Sequence, residues 1–310
     1  MVSAAILACA VLICAAQQIG TLTPSPPSPA SSLASAQRLV RDGKFAQADR
    51  MLRVLIAADP KAAEPRYLLA YALLREDKPA ESLKEYTAAA ALRTPTAAEL
   101  RNVALDYVVL KDLPEADRWM SQSLAMNAND AETWYTMGRL RYTQGRYSDA
   151  LMCFEKTIAL NPQSVKGENN LGLVYEALNR NEEAVRAYRT AIAWQKDDTA
   201  PSEQPLLNLA ILLQHRNQLA EAQQLLEEAA RIAPKEPRIH ENLGQAYLHT
   251  DRAADAVKEF GAAVRLAPAN PRYHYLLGQA YRRMGDGEQA KQEFARSAAL
   301  NGAHSTPDQQ

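Results

Sequence analysis

Large and very small apolar residues recur along this chain at fixed offsets. After Trp134 come Met137, Gly138, Gly145, Ala150, Phe154 and Pro162, and the following stretch places Leu171, Gly172, Tyr175, Ala184 and Tyr188 at the same offsets. The residue equivalent to Ala150 recurs as Ala48, Ser82, Ala116, Ala184, Ala222, Ala256 and Ala290, with successive positions 34 apart except for 38 between Ala184 and Ala222. The equivalents of Gly138 are Ala36, Ala70, Ala104, Gly172, Ala210, Gly244 and Gly278, and those of Phe154 are Leu52, Tyr86, Met120, Tyr188, Leu226, Phe260 and Phe294. Each unit breaks at its middle, at Gly43, Asp77, Lys111, Gly145, Asn179, Asn217, Asp251 and Gly285, where a first helix must stop and turn. The pattern predicts eight helix-turn-helix units. Two helices joined by a tight turn approach closely only where neither carries a bulky side chain, so the small pair marks the crossing and the large residue fills the space beside it.

Punctuation refines the boundaries. Pro60, Pro95, Pro162, Pro234 and Pro268 are expected to close the second helix of their units, and units three and five, which lack that proline, are expected to turn more loosely. The four extra residues fall near "WQKDDTAPSEQP" and predict one added helical turn after Trp194 followed by an acidic loop, with Trp194 a candidate secondary contact.

Composition agrees with an all-α chain. Of 310 residues 47% are hydrophobic, only 6% are aromatic, and glycine is scarce at 12, which disfavours a large sheet. A net charge of -1 gives no general attraction to nucleic acid or acidic membranes. Cys9 and Cys14 lie in an apolar N-terminus and only Cys153 lies beyond it, so neither a disulfide framework nor a thiolate metal site is available to the repeats.

The N-terminus suggests export. Ala4 to Ala16 form an uninterrupted apolar run of the length of a signal-peptide core, and Cys14-Ala15-Ala16 is a tolerable cleavage site, although no Lys or Arg precedes the run. Residues 1–20 therefore read as a signal peptide or an uncleaved apolar anchor, the latter being the one expected route to a membrane. Residues 21–30 read as a Pro/Ser-rich linker, 31–302 as the repeats and 303–310 as a polar tail. The expected location is periplasmic or secreted.

The 34-residue period, with W/L-x-x-L-G-x-x-Y followed by A, F/Y, A and P, resembles the tetratricopeptide repeat (TPR) family, and the units beginning at Trp134, Leu206, His240 and His274 match best. Unit one is degenerate, with Ser32 and Ser35 where large residues are usual. The resemblance implies an all-α TPR solenoid, a right-handed superhelix of about eight helix pairs, whose first helices line a concave groove for a peptide or partner segment. Physics points the same way: one helix pair cannot bury its apolar stripe alone, so neighbours stack into a solenoid with two extended faces.

By the same resemblance the groove is lined by Tyr67, Tyr71, Arg101, Asn102, Tyr135, Arg139, Tyr142, Lys166, Asn169, Asn170, Asn208, Arg238, Asn242, Tyr275 and Arg282, with Arg75 and Arg283 beside them. Tyrosine, asparagine and cations suit an extended, partly acidic peptide, since Asn pairs with backbone amides in both senses and Arg forks carboxylates. Asn102, Asn170, Asn208 and Asn242 share one repeat position, interrupted at Thr136, and resemble part of the asparagine ladder of O-GlcNAc transferases; a solvated helix face is the plainer reading. The carboxylate clamp of chaperone-binding TPR domains does not fit.

Chemistry is sparse. His240 and His274 occupy equivalent positions, and His215 and His249 end first helices. No carboxylate or thiolate stands at ligand spacing from them, so packing is the expectation and no metal or cofactor is expected. No phosphate loop, G-x-S-x-G elbow or H-E-x-x-H is present, and the acidic residues read as solvated. These features predict a non-catalytic scaffold for a protein or peptide partner in a cell-envelope assembly. Two alternatives stay open: a regulatory or substrate-recruiting subunit of an envelope enzyme complex for glycan or polymer synthesis, and self-association through an uncapped C-terminal repeat.

Overall fold

The computed structural model describes residues 29–304; the signal or anchor segment, the linker up to residue 28 and the tail beyond 304 lie outside the described residues. Sixteen α-helices and no strands occur among them, arranged as eight antiparallel hairpins. The hairpins are α1 (Pro29–Arg41) with α2 (Phe45–Ala58), α3 (Ala63–Arg75) with α4 (Pro79–Ala90), α5 (Ala97–Val109) with α6 (Leu113–Met126), and α7 (Ala131–Thr143) with α8 (Tyr147–Leu160). They continue as α9 (Val165–Ala177) with α10 (Asn181–Trp194), α11 (Gln204–His215) with α12 (Leu219–Ile232), α13 (Pro237–His249) with α14 (Ala253–Leu266), and α15 (Pro271–Met284) with α16 (Gly287–His304). Helices this short are marginal alone in water, so packing must hold them.

All eight mid-unit breaks adopt the left-handed conformation: Gly43, Asp77, Lys111, Gly145, Asn179, Asn217, Asp251 and Gly285 have φ between 57° and 87°. Each is followed by an amide that bonds back five residues, as Lys78 N does to Leu73 O (3.0 Å) and Arg180 N to Tyr175 O (2.8 Å). This closure satisfies carbonyls that the helix end would leave open and reverses the chain within a few residues.

The small-residue pattern has a sharper meaning than a crossing point. A Cβ added at Gly138 would stand 2.8 Å from Phe154 Cε1, at Gly172 2.3 Å from Tyr188 Cε1, and at both Gly244 and Gly278 2.7 Å from the Cε1 of Phe260 and Phe294. Glycine therefore makes room for a ring lying on the first helix. Where the large residue is Leu52, Met120 or Leu226, the first helix carries Ala36, Ala104 or Ala210 instead; Ala70 with Tyr86 is the one departure. Ser82, standing where seven units have alanine, is fully buried and donates its hydroxyl to Ala70 O at 2.8 Å.

Two boundary expectations are corrected. The α4 helix stops at Ala90, so Pro95 does not close it but precedes Thr96, whose side chain and that of Glu99 form a capping box on α5. The turn after unit three is no looser than those with proline: 127–130 is as short as 161–164, because Asn127 Oδ1 accepts from Asn129 N and Asp130 caps α7. The added helical turn is absent too. Both α8 and α10 have 14 residues, and the extra residues all lie in the loop 195–203, where the buried Gln195 amide clasps Ser202 N and Ser202 O at 2.9 and 2.7 Å. Acidic residues are not uniformly solvated: Asp106, Glu241 and Glu293 are buried.

Contacts divide the chain between Thr94 and Pro95. The first unit holds α1–α4 around Ala36, Ala48, Leu52, Leu69 and Leu73. The second holds α5–α16, and one continuous core runs from α10 to α15 through Tyr188, Leu206, Leu209, Leu226, Ile239, Phe260 and Leu277. Within this second unit successive first helices touch one another, α5 with α7 and so on to α13 with α15, whereas successive second helices do not. The first helices thus form its inner face.

Candidate functional site

The inner face of the second unit carries a cleft of about 640 Å³ built from three successive repeats. Tyr135 and Arg139 come from α7, Lys166, Asn169 and Asn170 from α9, and Gln195, Asp198, Ala200 and Ser202 from the loop 195–203; the turn 161–164 closes one side. The cleft exists because the extra residues form a loop wall pinned by Gln195 and not a longer α10.

Tyr135 organises the charged part. Lys166 Nζ lies 4.5 Å from its ring centroid and the Arg139 guanidinium 6.0 Å, both within cation–π range. Asn170 Nδ2 donates to the Tyr135 hydroxyl (3.3 Å) and to Lys166 O (2.8 Å), while Asn208 Nδ2 donates to Asn169 Oδ1 (3.0 Å). Lys166 also pairs with Glu132 of the preceding repeat. Arg139 is exposed and makes no ion pair among the described residues, and Asp198 on the loop wall brings one carboxylate to the same cleft.

The other groove candidates scatter. Tyr67 is a correction: it is 4% exposed, stacked near Tyr86, with Arg93 over its ring and its hydroxyl donating to Arg93 O, so it packs inside its unit and lines nothing. The same repeat position holds Asn169 and Glu241, which are buried, Tyr135, which is half-buried at the cleft, and Tyr275, which is 49% exposed, so the position alone does not set the role. Tyr71 is half-buried beneath Arg75, which donates to its hydroxyl. Arg101 is held by Asp130 at 2.8 Å. Burial raises the Asp130 carboxyl, but the Thr133 hydroxyl and Arg101 outweigh it and hold the group below the usual carboxylate range.

Asn102 and Tyr142 are half-buried, Tyr142 against Tyr147 with its hydroxyl pushed up by burial and by Tyr147 and Glu176. Arg238 is exposed and its carbonyl accepts from Asn242 Nδ2 at 2.7 Å. Arg282 lies over Phe294, and Arg283 pairs with Asp251. The structure thus gathers Tyr135, Arg139, Lys166, Asn169 and Asn170 at one cleft and leaves Arg238, Asn242, Tyr275 and Arg282 on more C-terminal repeats. Asn170 and Asn242 share a bond to their own helix four residues back, which a continuous ladder does not require.

Sequence reading missed Gln195 and Ser202, whose pairing depends on the loop's path. It also missed carboxylate partners for the histidines: His240 Nδ1 lies 2.7 Å from Glu259 Oε2, and His274 Nδ1 2.7 Å from Glu293 Oε2, across a hairpin and 19 residues along. Buried Cys153 has its thiol pushed up to about 11, mainly by burial.

Family models described as tetratricopeptide repeat match residues 33–98, 135–201, 212–280 and 271–304. A TPR repeat-containing protein, MJ0941, from Methanocaldococcus jannaschii is 33% identical over 67 residues, 22% of this chain and 20% of the relative. The Drosophila melanogaster protein O-mannosyl-transferase Tmtc3 is 28% identical over 130 residues, 42% of this chain and 14% of that protein. The matched stretches thus span a fifth or less of these relatives. A crystal structure of a tetratricopeptide repeat protein from Parabacteroides merdae superposes with a TM-score of 0.63 at 19% identity, covering 81% of this chain and 98% of that one. The type IV pilus biogenesis factor PilW gives a TM-score of 0.60 at 18% identity, covering 67% and 94%. Repeat period, hairpin closure, stacking and these matches agree: the chain belongs to the tetratricopeptide repeat proteins, and its repeats are those of a protein-interaction scaffold.

Proposed function

We propose that the chain is a non-catalytic adaptor that holds an extended, partly acidic peptide segment of a partner protein along the inner face of residues 95–304, with the cleft at Tyr135, Arg139 and Asn170 as its anchor. The observation that carries this reading is the cleft's composition: a guanidinium held in no ion pair beside a half-buried tyrosine, rimmed by amide side chains. Amides pair with a peptide main chain in either sense, and Arg139 suits one carboxylate beside it. A groove formed by stacked helices offers length more than depth, which favours a chain-like ligand over a small molecule. The apolar run Ala4–Ala16 supports placing this adaptor in an exported, envelope assembly; sequencing the N-terminus of the mature protein tests that, and an intact Met1 with no membrane association would oppose it.

The binding test pans a library of extended peptides on the full chain and on Arg139→Ala. Acidic peptides are expected to be selected, with affinity falling as salt rises and by roughly fivefold to thirtyfold on loss of the guanidinium, the effect of about 1–2 kcal/mol for a charge-assisted bond. Selection of basic or purely apolar peptides, or an unchanged affinity in the variant, would oppose it.

A further inference from the structure

One repeat position carries a recurring bracket. Arg66, Trp134, His240 and His274, each near the start of a first helix, donate to the carbonyl six residues earlier in the preceding turn: Pro60 (3.4 Å), Ala128 (2.8 Å), Pro234 (2.9 Å) and Pro268 (2.9 Å). Arg66, His240 and His274 also reach a glutamate 19 residues on in the second helix of their hairpin, Glu85, Glu259 and Glu293. The bracket ties turn, first helix and second helix together. In the second and fourth repeats its centre cannot titrate near neutrality, because Arg66 is always charged and Trp134 never is. In the last two repeats it is an imidazole.

Proton counting distinguishes those two. A carbonyl only accepts, so Nε2 must carry a hydrogen. The short approach of Nδ1 to a carboxylate oxygen then needs a second proton between them, whichever atom holds it. A neutral ring facing an ionised glutamate supplies one proton for two acceptors and keeps only one of the two bonds.

We propose that the His240 bracket makes the hairpin α13–α14 a pH-graded segment, closed while the bracket holds its shared proton and looser once that proton is lost.

The charged surroundings are defined. Glu259 and Arg265, both on α14, bear on His240; hydrogen bonding to Glu259 raises its affinity for a proton, burial opposes this, and Arg265 acts weakly against it. Glu293 faces His274 and is itself paired with Arg296, both on α16. Carboxylates of the other packed helices are engaged elsewhere, Glu227 of α12 by Tyr247 and Gln223, and Glu241 of α13 by Arg272 of α15. For His240, whose folded-state pKa is raised, the contribution to stability is full below the unfolded value of about 6.5 and is lost as pH rises through the higher folded value.

Hydrogen exchange of the full chain at pH 5.5 and 8.5, corrected for intrinsic rates, reads the brackets with no ligand present, so its outcome is separate from the peptide-groove reading. Opening of α13–α14 relative to α7–α8, whose bracket is Trp134, is expected to rise at least about twofold between the two pH values, as the shared proton is lost across that window. The variant His240→Arg, which copies the Arg66 bracket, is expected to abolish the rise. No rise in the wild-type chain, or an equal rise in the variant, overturns the proposal. Nitrogen-15 spectra of the wild-type His240 imidazole give a second reading that needs no variant: an Nδ1 signal that moves between pH 5.5 and 8.5 supports loss of the shared proton, and one that stays unchanged overturns it.

Discussion

Glycine in the middle of a helix costs about 1 kcal/mol relative to alanine, yet four first helices carry one against an aromatic ring. The ring repays this by filling the hairpin, so the pair behaves as one unit. Gly172→Ala, whose new Cβ would stand 2.3 Å from Tyr188, is expected to lower unfolding stability by about 1–3 kcal/mol in a denaturant titration. Adding Tyr188→Leu, which reproduces the Ala210–Leu226 pairing, should restore part of it; equal losses in both variants would mean the ring contact is irrelevant. Lys111 stands at φ 62° where other turns have Gly, Asn or Asp, and Lys111→Gly is expected to stabilise the chain by about 1 kcal/mol. These positions were legible in the sequence because a steric requirement repeated in every unit leaves its mark at a fixed offset. Tyr67 was not legible: its repeat position holds both an exposed tyrosine and buried side chains, and only packing decides which.

Between elements, the hairpin turns followed from residue type, whereas the inter-repeat joints did not. Proline marks some joints, but the turn 127–130 is shaped by Asn127 and Asp130 through side-chain bonds that a proline-based reading overlooks. Asp130 caps α7, bonds Thr133 and holds Arg101 of the preceding repeat, so Asp130→Asn is expected to cost about 1 kcal/mol at pH 7. Because its folded-state pKa is lowered, that contribution is present above the unfolded value near 3.9 and lost as pH falls through the folded one. Stability measured at pH 7 and pH 3 should therefore show the variant's deficit shrinking in acid; a deficit that grows in acid would contradict this. The loop 195–203 was read as part helix because four residues equal about one turn, a count that cannot distinguish the two. Gln195→Ala, which removes both bonds to Ser202, is expected to speed proteolysis within the loop while helix content by circular dichroism is unchanged.

At the scale of the molecule, repeat stacking leaves the first helices as a shared inner face in residues 95–304, and this face is where an adaptor would hold its partner. The direct measurement places a photocrosslinking residue at position 200, on the cleft's loop wall, or at position 152, an exposed site on the second helix α8, and compares the partners captured in native cells. The account predicts one specific partner crosslinked from position 200, through a peptide rich in Asp or Glu, and little from position 152. A partner captured from position 152 and not from position 200 would place recognition on the outer face and contradict the account.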